Sequence, residues 1–397
     1  MCQSYEVHND REGTSTPEAA RGRYDVKFRV ERDDFADAVA WTARSLPNRP
    51  AVPVLSGLRL EVKGHELSLS GFDYEVSAQA TLEVQADEAG TVVVLGRLLA
   101  EITRSLPPAP VQLTTDGTRA VLTCGTSRFT LPTMPVEDYP SLPDMPPSAG
   151  TIASDVFAEA VGQVFVAAGR DDTLPMLTGI KVEVDGDALT LAATDRYRLA
   201  IRELKWRPEG DGAATTALIP ARTLADAAKT LATTGAEVGV ALGTDNGVGM
   251  AGFSGGTRRM TTRLIEADFP AYRSLVPADF ASVAQVDNAA LVEAVKRVSL
   301  VAQRNTPIRL TFGPGEPLVL DAGAGDDAQA SESLDVSYDG EPLTIAYNPG
   351  YLLDGLGAIG SDSAVLSFNG PIKPSVITGK ETEGEYRYLL MPIRLSG

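Results

Sequence analysis

Apolar side chains recur at helical spacing at three places along the chain: Phe35, Val39 and Leu46; Phe157, Val161, Val164 and Phe165; and Leu291, Val295 and Val298. Intervals of three, four and seven put such residues on one face of a helix, and the polar residues before each run, Asp33, Ser154 and Asn288, are the expected caps. After each helix the period changes to two. In LRLEV (58–62), LSLS (67–70) and VSAQATLEV (76–84) alternate residues are apolar, which predicts strands with one buried face. A second helical pattern follows at 96–106, 220–232 and 349–359, and proline-rich joints close the first two blocks at 131–147 and 268–277.

These blocks are copies of one another. Phe35, Val39, Pro53, Leu55, Gly57 and Asp73 each have an identical residue 122 positions later, at Phe157, Val161, Pro175, Leu177, Gly179 and Asp195. A fainter third copy places Leu291, Val295 and Arg304 each 134 positions beyond Phe157, Val161 and Arg170. An offset held across helix, loop and strands marks internal repetition. The expected fold class is α+β: three repeated domains, each with two helices packed on one side of an antiparallel sheet. Their boundaries are drawn at 27–148, 149–278 and 279–397. Residues 1–26 lack either period and are read as a disordered extension or as sequence ahead of the true start.

Composition removes several functions. With 397 residues, two cysteines (Cys2 and Cys124) and two histidines (His8 and His65), the chain cannot assemble a disulfide framework, a thiolate metal site or an imidazole-based triad. No catalytic residue, metal or cofactor is therefore expected. Cys124 is read as a small buried hydrophobe. The adjacent carboxylates Asp171–Asp172 and Asp326–Asp327 diverge in direction and are taken as surface groups, and GFSGGTRR (252–259) reads as a hairpin turn because no GK[ST] follows it. No apolar run is long enough for a membrane, and a cytoplasmic location is expected.

A net charge of −18 argues against nucleic acid until the positive residues are placed. Arg97 and Arg104 lie seven apart on the second helix of the first repeat, and Arg222 and Lys229 repeat that spacing 125 residues on. Seven residues is nearly two turns, so each pair shares a direction. The third repeat has Gly350 and Gly357 there, but its first helix carries Lys296 and Arg297. Basic residues also follow every first helix: Arg44 and Arg49, Arg170, Arg304. Sparse cations on helices suit loose, sequence-independent contact with DNA phosphates.

The segments ATDRYRLA (193–200), DFPAYRSLVP (268–277), NPGYLLDGL (348–356) and YLLMPIRL (388–395), in this order and with the repeat, resemble the β subunit of bacterial DNA polymerase III over residues 27–397. The resemblance implies a sliding clamp, a head-to-tail homodimeric ring that encircles duplex DNA with its helices lining the hole. The ring contact would use Phe129 and Leu131 of the first repeat against Leu300 of the third. It also implies a pocket for short linear motifs of polymerase, clamp loader and repair proteins, comprising Leu177, Thr194, Arg196, Tyr197, Arg198, Leu199, Pro270, Leu275, Asn348, Tyr351, Val376, Met391, Pro392, Ile393 and Arg394. Arg198 and Arg394 would pair with acidic or backbone groups of the bound peptide. Ser274 and Tyr197 stand where some relatives have a basic residue and a histidine. Together with the 1–26 extension they motivate an alternative, a non-replicative clamp paralogue with an inhibitor-tolerant pocket. A repetitive surface-binding module would need a secretion signal, which the sequence lacks.

Overall fold

The computed structural model describes residues 26–210, 214–245, 248–302, 306–323, 328–381 and 384–394. Arg304, Asp326, Asp327, Cys2, His8 and nearly all of the 1–26 extension lie outside the described residues. The described residues up to Leu142 form one compact unit and those from Pro143 onward form another.

In the first unit, helices α1 (Arg32–Thr42) and α2 (Gly96–Ser105) pack on each other. Helix α1 lies on the strands Glu66–Phe72 and Val76–Glu83, and α2 on Gly57–Lys63 and Gly90–Leu95. Its described strands pair antiparallel with one another. Phe35, Val39, Leu99 and Ile102 reach the core between the layers, as their spacing predicts. Cys124 is buried, its thiol donating to the carbonyls of Pro107 and Ala109 at 3.3 and 3.1 Å.

The second unit holds two repeats: α3 (Ser154–Phe165) with α4 (Ala221–Leu231), and α5 (Asn288–Val298) with α6 (Pro349–Ala358). They share a unit because one sheet runs through both. Arg198–Lys205 pairs antiparallel with Tyr386–Leu390, joining strands of the second repeat to strands of the third in a nine-stranded sheet. GFSGGTRR forms the expected hairpin between Val248–Gly255 and Arg258–Arg263.

The first two repeats agree in detail. Gly57–Lys63 and Gly179–Asp185 have the same burial sequence, residue for residue. At both leading glycines a Cβ would collide with a neighbour, Val93 Cγ1 at 2.5 Å from Gly57 and Leu218 Cδ1 at 2.7 Å from Gly179, so close strand packing accounts for both. The turn at Asp73 is also repeated. Asp73 Oδ1 accepts from the amides of Glu75 and Val76, as Asp195 Oδ1 does from those of Tyr197 and Arg198. The residues between, Tyr74 and Arg196, are the non-glycine residues with positive φ among the described residues, at 75° and 82°. The aspartate's hydrogen bonds hold the chain in this left-handed turn.

The expected caps need correction. Helix α1 begins at Arg32, α3 at Ser154 itself and α5 at Asn288 itself, which puts Asp33, Ser154 and Asn288 inside the first turn. The side chain that caps α5 is Asp287, accepting from the Ala290 amide at 2.7 Å, and Asn348 caps α6 in the same way at 3.2 Å. Periodicity locates a helix; which neighbouring polar group turns back on the amides depends on local backbone angles.

Candidate functional site

A cleft of about 560 Å³ opens in the second unit where the second and third repeats meet. One wall is the turn 195–198, another the start of α6 at Asn348, Gly350, Tyr351 and Asp354, and a third the segment 168–177. Leu177, Arg196, Tyr197, Arg198, Asn348 and Tyr351 of the expected pocket all line it. The ring of Tyr197, 54% exposed, stacks near Tyr351 with centroids 6.3 Å apart, and the Arg196 guanidinium lies 5.8 Å from the Tyr197 ring.

The other expected pocket residues surround this cleft or lie beneath it. Leu199 and Val376 are buried in a cluster with Ala192, Ile201, Tyr272 and Leu389, so they support the site from below. Thr194 is buried too, donating to the Arg198 carbonyl at 2.7 Å and so closing the 195–198 turn. Pro270 and Leu275 stand exposed on the segment that carries Tyr272. The Met391 amide donates to the Tyr197 carbonyl at 2.9 Å, bringing its 41% exposed side chain to the tyrosine's strand end. Pro392, Ile393 and Arg394 continue from there, Ile393 tied by its amide to the Ala346 carbonyl.

The role expected of Arg198 needs correction. Its guanidinium donates to Asp195 at 2.9 Å and to Asp354 at 2.5 Å and lies 4.3 Å from the Tyr351 ring centroid, while its side chain is only 5% exposed. Burial works most strongly against its charge, but the hydrogen bond to Asp354, the interactions with Tyr388 and the charge of Asp195 together outweigh it and its pKa is raised. Arg198 is thus already paired, and it ties the second repeat to α6 of the third. No sequence pattern pointed to Asp354, Asp195, Leu174 or Asp171 as cleft residues. Asp171 was weighed only as a surface carboxylate; its Oδ1 accepts from the amide and hydroxyl of Thr173 in a local turn.

The basic residues are exposed as expected: Arg44, Arg49, Arg97, Arg104, Arg170, Arg222, Lys229, Lys296 and Arg297. They are not equally available. Arg97 is held by Asn48 Oδ1 at 2.6 Å and by the Leu46 carbonyl, Lys296 pairs with Glu293 at 2.7 Å, and Arg297 grips both oxygens of Glu332. Arg104, Arg222 and Lys229 make no side-chain hydrogen bond or ion pair with a described residue. Of the expected ring contact, Leu131 is 3% exposed and belongs to its own unit's core, Phe129 is half-buried, and Leu300 is 84% exposed.

The three DNA polymerase III beta subunit domains match in order: the N-terminal domain over residues 26–143, the central domain over 151–271 and the C-terminal domain over 273–394. The chain belongs to the DNA polymerase III beta subunit family. It is 55% identical to the beta sliding clamp of Streptomyces coelicolor over 378 residues, covering 94% of this chain and 100% of the relative. It is 46% identical to the beta sliding clamp homolog GriR of Streptomyces muensis, covering 93% and 99% of the two chains. A Pseudomonas aeruginosa DnaN sliding clamp, solved bound to griselimycin, superposes with a TM-score of 0.87 at 28% identity, covering 93% of this chain and 100% of that one. The function is that of a sliding clamp of DNA polymerase III, and the cleft described above lies between the clamp's central and C-terminal domains. Among the described residues no helix is long and apolar enough to cross a membrane.

Proposed function

We propose that this clamp acts as a head-to-tail homodimeric ring around duplex DNA and holds replicative polymerase, clamp loader and repair proteins by short linear motifs seated in the 168–198 and 348–354 cleft. What carries the docking reading is the meeting of Leu177, Tyr197 and Tyr351 at an open cleft with Met391 beside it. Apolar and aromatic walls with a flexible thioether accept leucine or phenylalanine anchors. The DNA reading rests on the exposed cations of the helices, Arg104, Arg222 and Lys229 foremost, in a protein whose net charge of −18 repels phosphate elsewhere. Domain limits at 27–148, 149–278 and 279–397 go with this reading, and so does a ring contact centred on Leu300. The alternative of an inhibitor-tolerant paralogue is the weaker one, since the chain is 55% identical to a relative named simply a beta sliding clamp and 46% identical to one named a beta sliding clamp homolog.

The test is fluorescence anisotropy of a labelled peptide with leucine and phenylalanine anchors against the wild type, Tyr197→Ala and Met391→Ala. Each substitution should weaken binding by about tenfold, the loss expected for a central aromatic or apolar contact. Unchanged affinity in both variants overturns the docking assignment. Retention of the loaded clamp on nicked circular DNA, with release on linearisation, tests the ring, and monomer alone at micromolar concentration in sedimentation equilibrium overturns it.

A further inference from the structure

A second cleft, of about 340 Å³, continues from the docking cleft. The two share Ala168, Gly169, Arg170 and Asp354, so a chain lying in the first can pass into the second without leaving the surface. The far part of the second cleft is bounded by Phe165, Val166, Pro220 and Arg222 at the start of α4. Arg198, which the family resemblance suggested as the partner for acidic groups, is already held by Asp195 and Asp354. Arg170 and Arg222 border the second cleft, both exposed and with no side-chain hydrogen bond or ion pair to a described residue, whereas Arg196, which lines the first cleft alone, lies over the Tyr197 ring.

We infer that Arg170 and Arg222 form a seat for acidic residues flanking the apolar anchors of a docked peptide. Charge and continuity support this occupant. Of the two carboxylates in the second cleft, Asp354 is taken up by Arg198, leaving Asp172 alone against two arginines. The molecule carries a net charge of −18, so an acidic segment is disfavoured over the surface as a whole and drawn to a place where free arginines outnumber carboxylates. Phe165, 37% exposed, with Val166 and Pro220 offers an apolar wall to the methylene stem of a glutamate. The inference rests on the docking reading and refines its specificity: anchors give affinity in the first cleft, and the charge of the flank selects among partners in the second.

Two labelled peptides with identical leucine and phenylalanine anchors test it, one flanked by four glutamates and one by four serines, titrated against the full-length protein at low salt. The quantity read is the ratio of the two affinities. In the wild type the acidic peptide should bind about three- to tenfold tighter, the sum of two exposed charge pairs, and the advantage should shrink as salt rises. Arg170→Ala and Arg222→Ala should each cut the ratio, and Arg222→Glu should bring it below one. A wild-type ratio of one, or a ratio that none of these variants changes, overturns the inference and leaves the arginines to DNA phosphates alone. Failure of the serine-flanked peptide to bind wild type would instead count against the docking cleft itself, so the two failures are distinguishable.

Discussion

Arg198 of the central domain and Asp354 of helix α6 are joined by a 2.5 Å hydrogen bond, with the arginine side chain 5% exposed and the aspartate 46%. The pair closes the floor of the docking cleft and fastens one domain to the next. Removing Arg198 should therefore do more than remove a charge.

Arg198→Ala is expected to destabilise the protein by about 2 kcal/mol, since it removes a buried guanidinium paired with Asp195 and Asp354 and packed on Tyr351. Asp354→Asn should cost under about 1 kcal/mol, because that partner is half exposed and Asp195 still holds the arginine. Urea unfolding of both variants checks this. Equal losses would mean that the tie does not depend on the buried partner.

Helix α6 packs closely on the C-terminal strand at Gly355, where an added Cβ would stand 2.4 Å from Cε1 of Tyr388. The hydroxyl of Tyr388 in turn donates to the Tyr351 carbonyl at 2.8 Å. Gly355→Ala should cost about 1–3 kcal/mol by overpacking, and by displacing Tyr351 it should weaken anchor-peptide binding as well. Thermal unfolding and peptide anisotropy read the two effects separately, and unaltered peptide affinity in a destabilised variant would disconnect the ring of Tyr388 from the cleft.

Glu183 collects hydrogen bonds from Lys181 and Arg273, both at 2.7 Å, and from the Tyr272 hydroxyl at 2.5 Å. Burial alone would raise its pKa, but these three donors outweigh it and bring the carboxyl down to about 2. A depressed folded pKa contributes stability above the ordinary value of 4.5 that is lost as pH falls towards 2. The wild type should lose about 2–3 kcal/mol more than Glu183→Gln between pH 5 and pH 2. Parallel urea midpoints across that window would show that the network does not link the joint at Tyr272 to the central-domain sheet.

Binding to phosphate should rank the cations by how free each one is. Arg104→Ala, Arg222→Ala and Lys229→Ala should each lower the salt slope of DNA affinity by about 0.9, the value for one phosphate no longer neutralised. Arg297→Ala should change it less, because that guanidinium is already held by Glu332. Affinity measured over a salt series decides the order, and a larger effect at Arg297 would reverse it.

Much of this architecture was legible in one dimension. The 122-residue offset between Phe35 and Phe157, or Gly57 and Gly179, is a property of the string itself, and identical apolar periods must bury identical faces; the matching burial of Gly57–Lys63 and Gly179–Asp185 follows from that. The seven-residue spacing of Arg97 with Arg104 and of Arg222 with Lys229 likewise set their shared exposure. Pairing across the chain was not legible. That Arg198 is spent on Asp354, 156 positions away, that Arg297 is spent on Glu332, and that Arg170 and Arg222 border one cleft depend on which strands and helices the fold brings together. Periodicity records the direction a side chain faces relative to its own element, whereas partners at long range are set by packing between elements, and only the tertiary structure decides which charges remain free for a ligand.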